Sequence, residues 1–190
     1  MRVIAGTAKG VPLVAPRGEV RPTTDRVREA VFSVFADLSG SGGRPAEQQL
    51  AGLSLLDLYA GSGAVAVEAA SRGAAPVVAV DQAGAACQAI SRNAAAATVA
   101  VNPVRARVEA YLGQRPSQFD IVWLDPPYAL APQALAEVLA QVGEHWLAAG
   151  AIVAVERSAR SRPPTWPPGL AQPQQRRYGE TVVYFGSEQL

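Results

Sequence analysis

LLDLYAGSGAVAVEAASRGAAPVVAVD, residues 55–81, decides the fold. Leu53–Leu58 is apolar enough for a buried strand, and Gly61 and Gly63 then permit a tight turn. Ala64–Arg72 continues as a helix closed by Gly73, and Val77–Val80 is a second buried strand ending at Asp81. Strand, glycine turn, helix and strand make a βαβ unit, which lays two parallel strands side by side.

The alternation continues outward. A helix over Gly84–Ala97, a strand over Val104–Val108 and a strand over Phe119–Leu124 ending at Asp125 are expected next. Pro132–Trp146 follows as a helix with Pro132 in its first turn, then Ala151–Val155 as a strand ending at Glu156. A proline-rich loop (162–169) leads to a last strand, Thr181–Phe185. This succession predicts an α/β protein with a doubly wound, mostly parallel sheet. Upstream, Arg2–Ile4 and Val11–Val14 suit a small β-hairpin, and Thr23 or Thr24 caps a helix over 25–38. Val27, Ala30, Val31, Val34, Phe35 and Leu38 form its apolar stripe; Asp25, Arg26, Arg28 and Glu29 lie opposite, as a solvated face. The expected organisation is a hairpin and helix extension (1–38), a flexible linker (39–52) and a main domain (53–190).

The chain has 190 residues, 49% of them hydrophobic, which suits one domain with a sizeable core. It has no apolar run long enough for a membrane span and no signal-peptide core near Arg2 and Lys9, so a soluble, cytoplasmic protein is expected. Cys87 alone excludes an intramolecular disulfide, and with His145 as the one histidine no zinc cluster and no metal is expected. The net charge of +1 conceals an asymmetry: residues 1–36 carry +3, residues 37–155 carry −4 and residues 156–190 carry +2. Of the 17 cations 16 are arginine, a residue able to fork onto phosphate and stack on bases, although an alanine- and arginine-rich codon bias explains much of that preference. Arg2, Lys9, Arg17 and Arg21 are the candidates for phosphate contact.

The glycine turn predicts a small-molecule site, because doubly wound sheets bind ligands beyond the carboxyl ends of their strands. Gly61-x-Gly63-x-x-Ala66 with Asp81 downstream fits a dinucleotide fingerprint as well as a nucleoside site, Asp81 accepting from ribose hydroxyls in either case. Asp57 favours S-adenosylmethionine: a carboxylate four residues before Gly61 suits a zwitterionic amino acid group and repels a pyrophosphate.

A second strand delivers Asp125-Pro126-Pro127-Tyr128 to the same sheet edge. Methylating a nucleobase amine requires a poor nucleophile to be improved, because its lone pair is delocalised into the ring. Two acceptors aimed at the N–H bonds favour a pyramidal nitrogen; the Asp125 carboxylate and the Pro126 carbonyl can supply them. The prolines stiffen the loop and remove backbone donors, and the Tyr128 ring can stack on a flipped base. The plainer alternative is a proline turn with Asp125 as a cap and Tyr128 as packing. Cys87, within an alanine-rich helix, is poorly placed for nucleophilic methylation of a pyrimidine carbon, and Trp123 and Trp166 suit core and loop-anchor roles.

RVIAGTAKG (2–10), RPTTDRVREAVF (21–32), LLDLYAGSGAVAVEAASRGA (55–74), FDIVWLDPPY (119–128) and, more weakly, YGETVVYF (178–185) resemble the RsmD family of bacterial 16S rRNA guanine-N2 methyltransferases over essentially the whole chain. The resemblance implies a Rossmann-like class I methyltransferase fold with a seven-stranded sheet and an N-terminal extension. It implies transfer from S-adenosylmethionine to one guanine of 16S rRNA, guanine 966 in the family, in an assembled or assembling small subunit; separately, a monomer is expected. It places cofactor near Thr24, Arg26, Asp57, Tyr59, Ala60, Gly61, Gly63, Asp81 and Glu109, with Glu29 close by, and chemistry on Asp125 to Tyr128. Two departures stand out: Ala83 replaces an acid often found two residues past Asp81, and Glu109 stands where Asp or Asn is common. Competing readings are the same chemistry on DNA adenine or protein glutamine, a nicotinamide-dependent oxidoreductase, and a non-catalytic RNA-binding assembly factor.

Overall fold

In a computed structural model of the chain, residues 1–16 and 24–188 are described, the side chains of 171–173 and 188 excepted. Arg17 and Arg21 therefore lie outside the described residues. The centre of the sheet is β1 (Leu55–Leu58), every residue of which is buried. It pairs in parallel with β2 (Val77–Asp81) on one side and β4 (Phe119–Leu124) on the other. β3 (Asn102–Arg105) joins β2 and β5 (Leu147–Ser158) joins β4, both parallel. β6 (Leu170–Tyr178) and β7 (Thr181–Glu188) complete a seven-stranded sheet in the order β3-β2-β1-β4-β5-β7-β6, with β7 antiparallel to β5 and β6. The chain reverses direction across the sheet between β1 and β4, the topological switch point where a crevice opens.

Alternate residues of these strands feed two cores. Leu55, Trp123, Ile152, Ala154, Val183 and Phe185 pack with α1 (Asp25–Leu38), α2 (Ala64–Ser71) and α3 (Gly84–Ala97). Leu56, Leu58, Val122, Leu124, Val153 and Val155 pack with α4 (Val108–Leu112) and α5 (Pro132–His145). Each fully buried large side chain contributes about 1.5–3 kcal/mol. The register Asp57↔Trp123↔Ala154 is therefore a row of side chains on the α1–α2–α3 face. Two residues further along, Asp125 and Glu156 share that face at the carboxyl end.

Several local expectations are corrected. The third strand ends at Arg105, and Val108 instead begins α4. Val104–Val108 is not one strand because the backbone bends at Ala106, whose N–H makes the last bond to β2, at the Asp81 carbonyl. Residues 170–178, with Pro173 and a glutamine–arginine run, lack a strand-like pattern, yet form the edge strand because β7 offers them a partner. Residues 39–52, mostly exposed, are anchored at two points: Leu50 is wholly buried and its N–H donates to the Arg72 carbonyl, and the Ser41 hydroxyl donates to the Gln49 carbonyl.

The start of the chain forms one bridge, Arg2↔Pro12, rather than two full strands. This arm is docked on α2. The buried Glu68 carboxylate accepts the Ile4 and Ala5 N–H groups at 2.7 and 3.0 Å and pairs with Arg72 at 2.9 Å. Ser71 donates to the Ala5 carbonyl and accepts from the Ala8 N–H. Gly6 adopts φ +83° against the Ser71 backbone, where a Cβ has no room. The arm also buries Arg28, which faces solvent in the amphipathic reading of α1: its guanidinium donates to the Arg2 carbonyl and to Asp25. Conversely Phe32, outside the apolar stripe, is fully buried, whereas Leu38 is 40% exposed.

Candidate active site

Asp57, at the third position of β1, is 1% exposed and lines the floor of a cleft of about 570 Å³ at the carboxyl end of the sheet. One of its oxygens accepts the Ala66 N–H at 3.2 Å. Burial pushes its carboxyl up to about 8, the Ala66 hydrogen bond pulling down and nearby Asp81 adding to the rise. No cation stands among these influences, and a positive charge brought beside this buried acid would return it to the ionised form.

Above Asp57 the chain turns through Tyr59, which holds a left-handed φ of 61°. The Ala60 N–H donates to the Val80 carbonyl and the Gly63 N–H to the Ala60 carbonyl. Asp81, at the end of β2, accepts the Gly61 N–H at 2.9 Å through one oxygen and the Ala83 N–H at 2.8 Å through the other. A carboxylate has about four lone-pair positions, so Asp81 retains capacity for ligand hydroxyls beside this task. The cleft wall continues through Gln82, Ala85 and Ala86, then Arg107 and Glu109, which form a 3.4 Å ion pair. The Tyr59 hydroxyl is buried without a hydrogen-bond partner and is pushed up to about 12, by burial first, then by Glu109 against Arg107 and Arg157.

The opposite wall is Trp123, the loop Asp125 to Tyr128, Leu130 and Glu156. The Asp125 N–H reaches the Leu58 carbonyl at 3.4 Å, so the loop leaves the sheet beside the end of β1. Asp125 is half-buried, Pro126 buried, and the Tyr128 ring 50% exposed at the mouth. Asp57, Gly61 and Asp81, at the ends of β1 and β2, thus face the 125–128 loop at the end of β4 across one crevice.

The family described as "Conserved hypothetical protein 95" matches residues 1–187. Ribosomal RNA small subunit methyltransferase D of Escherichia coli K12 is 31% identical over 170 residues, 88% of this chain and 79% of that protein.

The chain belongs to the RsmD family.

The Bacillus subtilis protein YlbH is 35% identical over 152 residues, 76% of this chain and 75% of its own. Among solved structures, the Escherichia coli protein yhhF superposes with a TM-score of 0.83 at 29% identity, covering 100% of this chain and 98% of that one. An RNA methyltransferase from Salinibacter ruber in complex with S-adenosyl-L-homocysteine shares the fold, with a TM-score of 0.63 at 19% identity over 88% and 94% of the two chains. The architecture is the Rossmann-like methyltransferase fold.

Within this RsmD-family cleft the structure gathers Asp57, Tyr59, Ala60, Gly61, Asp81, Glu109 and Asp125 to Tyr128. It does not bring the remaining expected cofactor residues to the lining. Gly63 is buried at the start of α2, with φ +71°; a Cβ there would meet Ile90 at 2.8 Å, so it allows α2 to pack on α3. Thr24 caps α1 by accepting the Val27 N–H. Arg26 and Glu29 border a separate hollow between α1 and the arm, together with Arg2 and Lys9. These four are near neighbours even though sequence analysis assigned them to two different tasks. Lining residues that sequence analysis did not single out as site residues include Pro16, Arg107 and Trp123. Only their fold position marks them: Trp123 is in register with Asp57, which no local pattern states. Among the described residues no group of three or more His, Cys, Asp or Glu could hold a metal, and no helix is long and apolar enough to cross a membrane.

Proposed function

We propose that this RsmD-family protein transfers a methyl group from S-adenosylmethionine to the exocyclic N2 of one guanine in 16S rRNA of the small ribosomal subunit. The observation that carries this reading is the meeting of Asp57, Asp81 and the 125–128 loop around one crevice. When bound, S-adenosylmethionine supplies an activated methyl group on a sulfonium, so the protein's work is placement and electrostatics. Asp57 faces the ammonium of its amino acid part, and Asp81 faces the ribose across a turn it already holds closed. Arg107 and Glu109 border the adenine side.

On the acceptor side, the half-buried Asp125 carboxylate and the Pro126 carbonyl accept from the two N–H groups of the amine. That pair orients the nitrogen lone pair toward the methyl carbon, and Asp125 stands ready to take the proton released as the new bond forms. Tyr128, exposed at the mouth, offers its face to the flipped base. Arg2, Lys9 and Arg26, around the hollow beside α1, are available for phosphates of the surrounding RNA. The small basic arm offers few contacts for sequence reading, which favours recognition of an assembled or assembling subunit.

The test is incubation with labelled S-adenosylmethionine and small subunits lacking the modification, followed by digestion to nucleosides. Label in N2-methylguanosine supports the proposal. Label in adenine, DNA or protein moves the same chemistry to another substrate. RNA retention without transfer would make the protein an assembly factor.

A further inference from the structure

β5 outruns its neighbour. The ladder between β4 and β5 stops at Leu124↔Val155, while the ladder from β5 to β7 continues through Glu156↔Val183, Arg157↔Val182 and Ser158↔Thr181. Residues 125–130 occupy the space that β4 vacates. Of the two residues at the step, Glu156 lines the cleft and Arg157 points to the other face.

Arg157 is 4% exposed, and its guanidinium reaches behind the loop. Nη1 donates to the Pro127 carbonyl and Nη2 to the Leu130 carbonyl, each at 3.4 Å. The Leu130 N–H donates to the same Pro127 carbonyl at 2.9 Å, closing the turn between them. Nε is buried with no hydrogen-bond partner, so this cation is buried for less than its full set of bonds. Such an arrangement is costly. It becomes understandable from the loop's composition. Pro126 and Pro127 contribute carbonyls and no N–H, leaving a short loop with an excess of acceptors whose rear faces the buried Arg157. A planar fork of donors with no acceptor of its own can take up two carbonyls at fixed spacing.

We propose that Arg157 is a positioning residue for methyl transfer: by holding the Pro127 and Leu130 carbonyls on the rear of the loop, it leaves the Asp125 carboxylate and the Pro126 carbonyl turned toward the acceptor amine. This rests on the reading of 125–128 as the acceptor site. Arg157 touches neither reactant; its effect passes through the orientation of the peptide planes. Misplacing acceptors by about 1 Å costs up to ~100-fold in rate.

Arg157→Met, Arg157→Lys and Asp125→Ala are compared with the unaltered protein, using unmodified small subunits. The readouts are single-turnover transfer at saturating S-adenosylmethionine, S-adenosylhomocysteine affinity, melting temperature and amide exchange at Leu130. For Arg157→Met the expected result is a ~10–100-fold slower transfer, S-adenosylhomocysteine affinity within about twofold of wild type, and faster exchange at Leu130. Arg157→Lys recovers part of the rate, since one ammonium can serve one carbonyl. If Arg157→Met does not fold, the lysine variant carries the test through its intermediate rate and intact S-adenosylhomocysteine affinity. Transfer within twofold of wild type in Arg157→Met, with Asp125→Ala inactive, overturns the clamp alone. Full activity in Asp125→Ala overturns the acceptor-site reading and the clamp with it. Loss of S-adenosylhomocysteine binding in step with the rate shows a merely structural residue and also overturns the clamp.

Discussion

Asp81 accepts the Gly61 N–H at 2.9 Å, so the acid that ends β2 holds shut the turn that follows β1. Its other oxygen accepts the Ala83 N–H, which starts α3. One carboxylate therefore ties together the two loops that form one wall of the cleft. Replacing it by alanine removes charge-assisted hydrogen bonds worth about 1.5–3 kcal/mol each. Asp81→Ala is expected to weaken S-adenosylhomocysteine binding by at least ~10-fold, measured by calorimetry. Unchanged affinity would show that the turn closes without Asp81.

Asp57 carries a pH signature. Its folded value of about 8 lies above the ordinary 3.8, so between those limits the folded chain holds a proton that the unfolded chain has released. The ligand-free protein has this contribution in full below about pH 4 and loses it as pH rises toward 8. The Asp57 contribution to the melting temperature is expected to fall over that window, read as the difference between the unaltered protein and Asp57→Asn. Binding of S-adenosylhomocysteine at pH 7, by bringing an ammonium to the carboxylate, is expected to release protons. Calorimetry in buffers of different ionisation enthalpy reads that number directly, and zero release would remove the ammonium from beside Asp57.

Asp125→Ala is expected to abolish methyl transfer while leaving S-adenosylhomocysteine affinity within a few-fold of wild type. The carboxylate lies on the β4 wall of the cleft, whereas Asp57, Gly61 and Asp81 lie on the opposite wall at the ends of β1 and β2. Activity within a few-fold of wild type would contradict the account of the amine contacts.

Gly63→Ala tests whether that glycine serves packing or binding. The left-handed φ of 71° and the contact with Ile90 both oppose a side chain. A loss of about 1–3 kcal/mol in denaturant unfolding is expected. Because Gly63 is not among the residues lining the cleft, S-adenosylhomocysteine affinity at a temperature where the variant is folded should change little.

Glu68 anchors the arm with two part-buried backbone hydrogen bonds and a buried ion pair to Arg72. Glu68→Ala leaves the Arg72 charge without that partner, and breaking a buried pair costs about 3–5 kcal/mol. Limited proteolysis should then cleave within residues 1–16 well before the main body unfolds. An arm equally protected in the variant would mean that its apolar contacts with α2 and α3 suffice.

The gain from reading the chain was greatest where function and local pattern coincide. The glycine turn before α2, the acids that end β2 and β4, and the proline pair are signals carried within a few residues each, and they specified a parallel sheet with a two-sided cleft at its carboxyl edge. Strand β6 was illegible for the opposite reason: a glutamine–arginine run becomes a strand only when β7 lies beside it to pair.

The order of the amino acids by itself pointed to the strand–helix alternation, the glycine turn and the acids at the strand ends, because backbone preference and side-chain acidity are local properties. Tertiary structure alone decided that Trp123 stands in register with Asp57, that Arg28 is covered by the arm, and that Arg157 reaches behind the proline loop. Those relationships depend on which segments end up side by side, and burial, hydrogen-bond partners and shifted acidity come into being only at that contact.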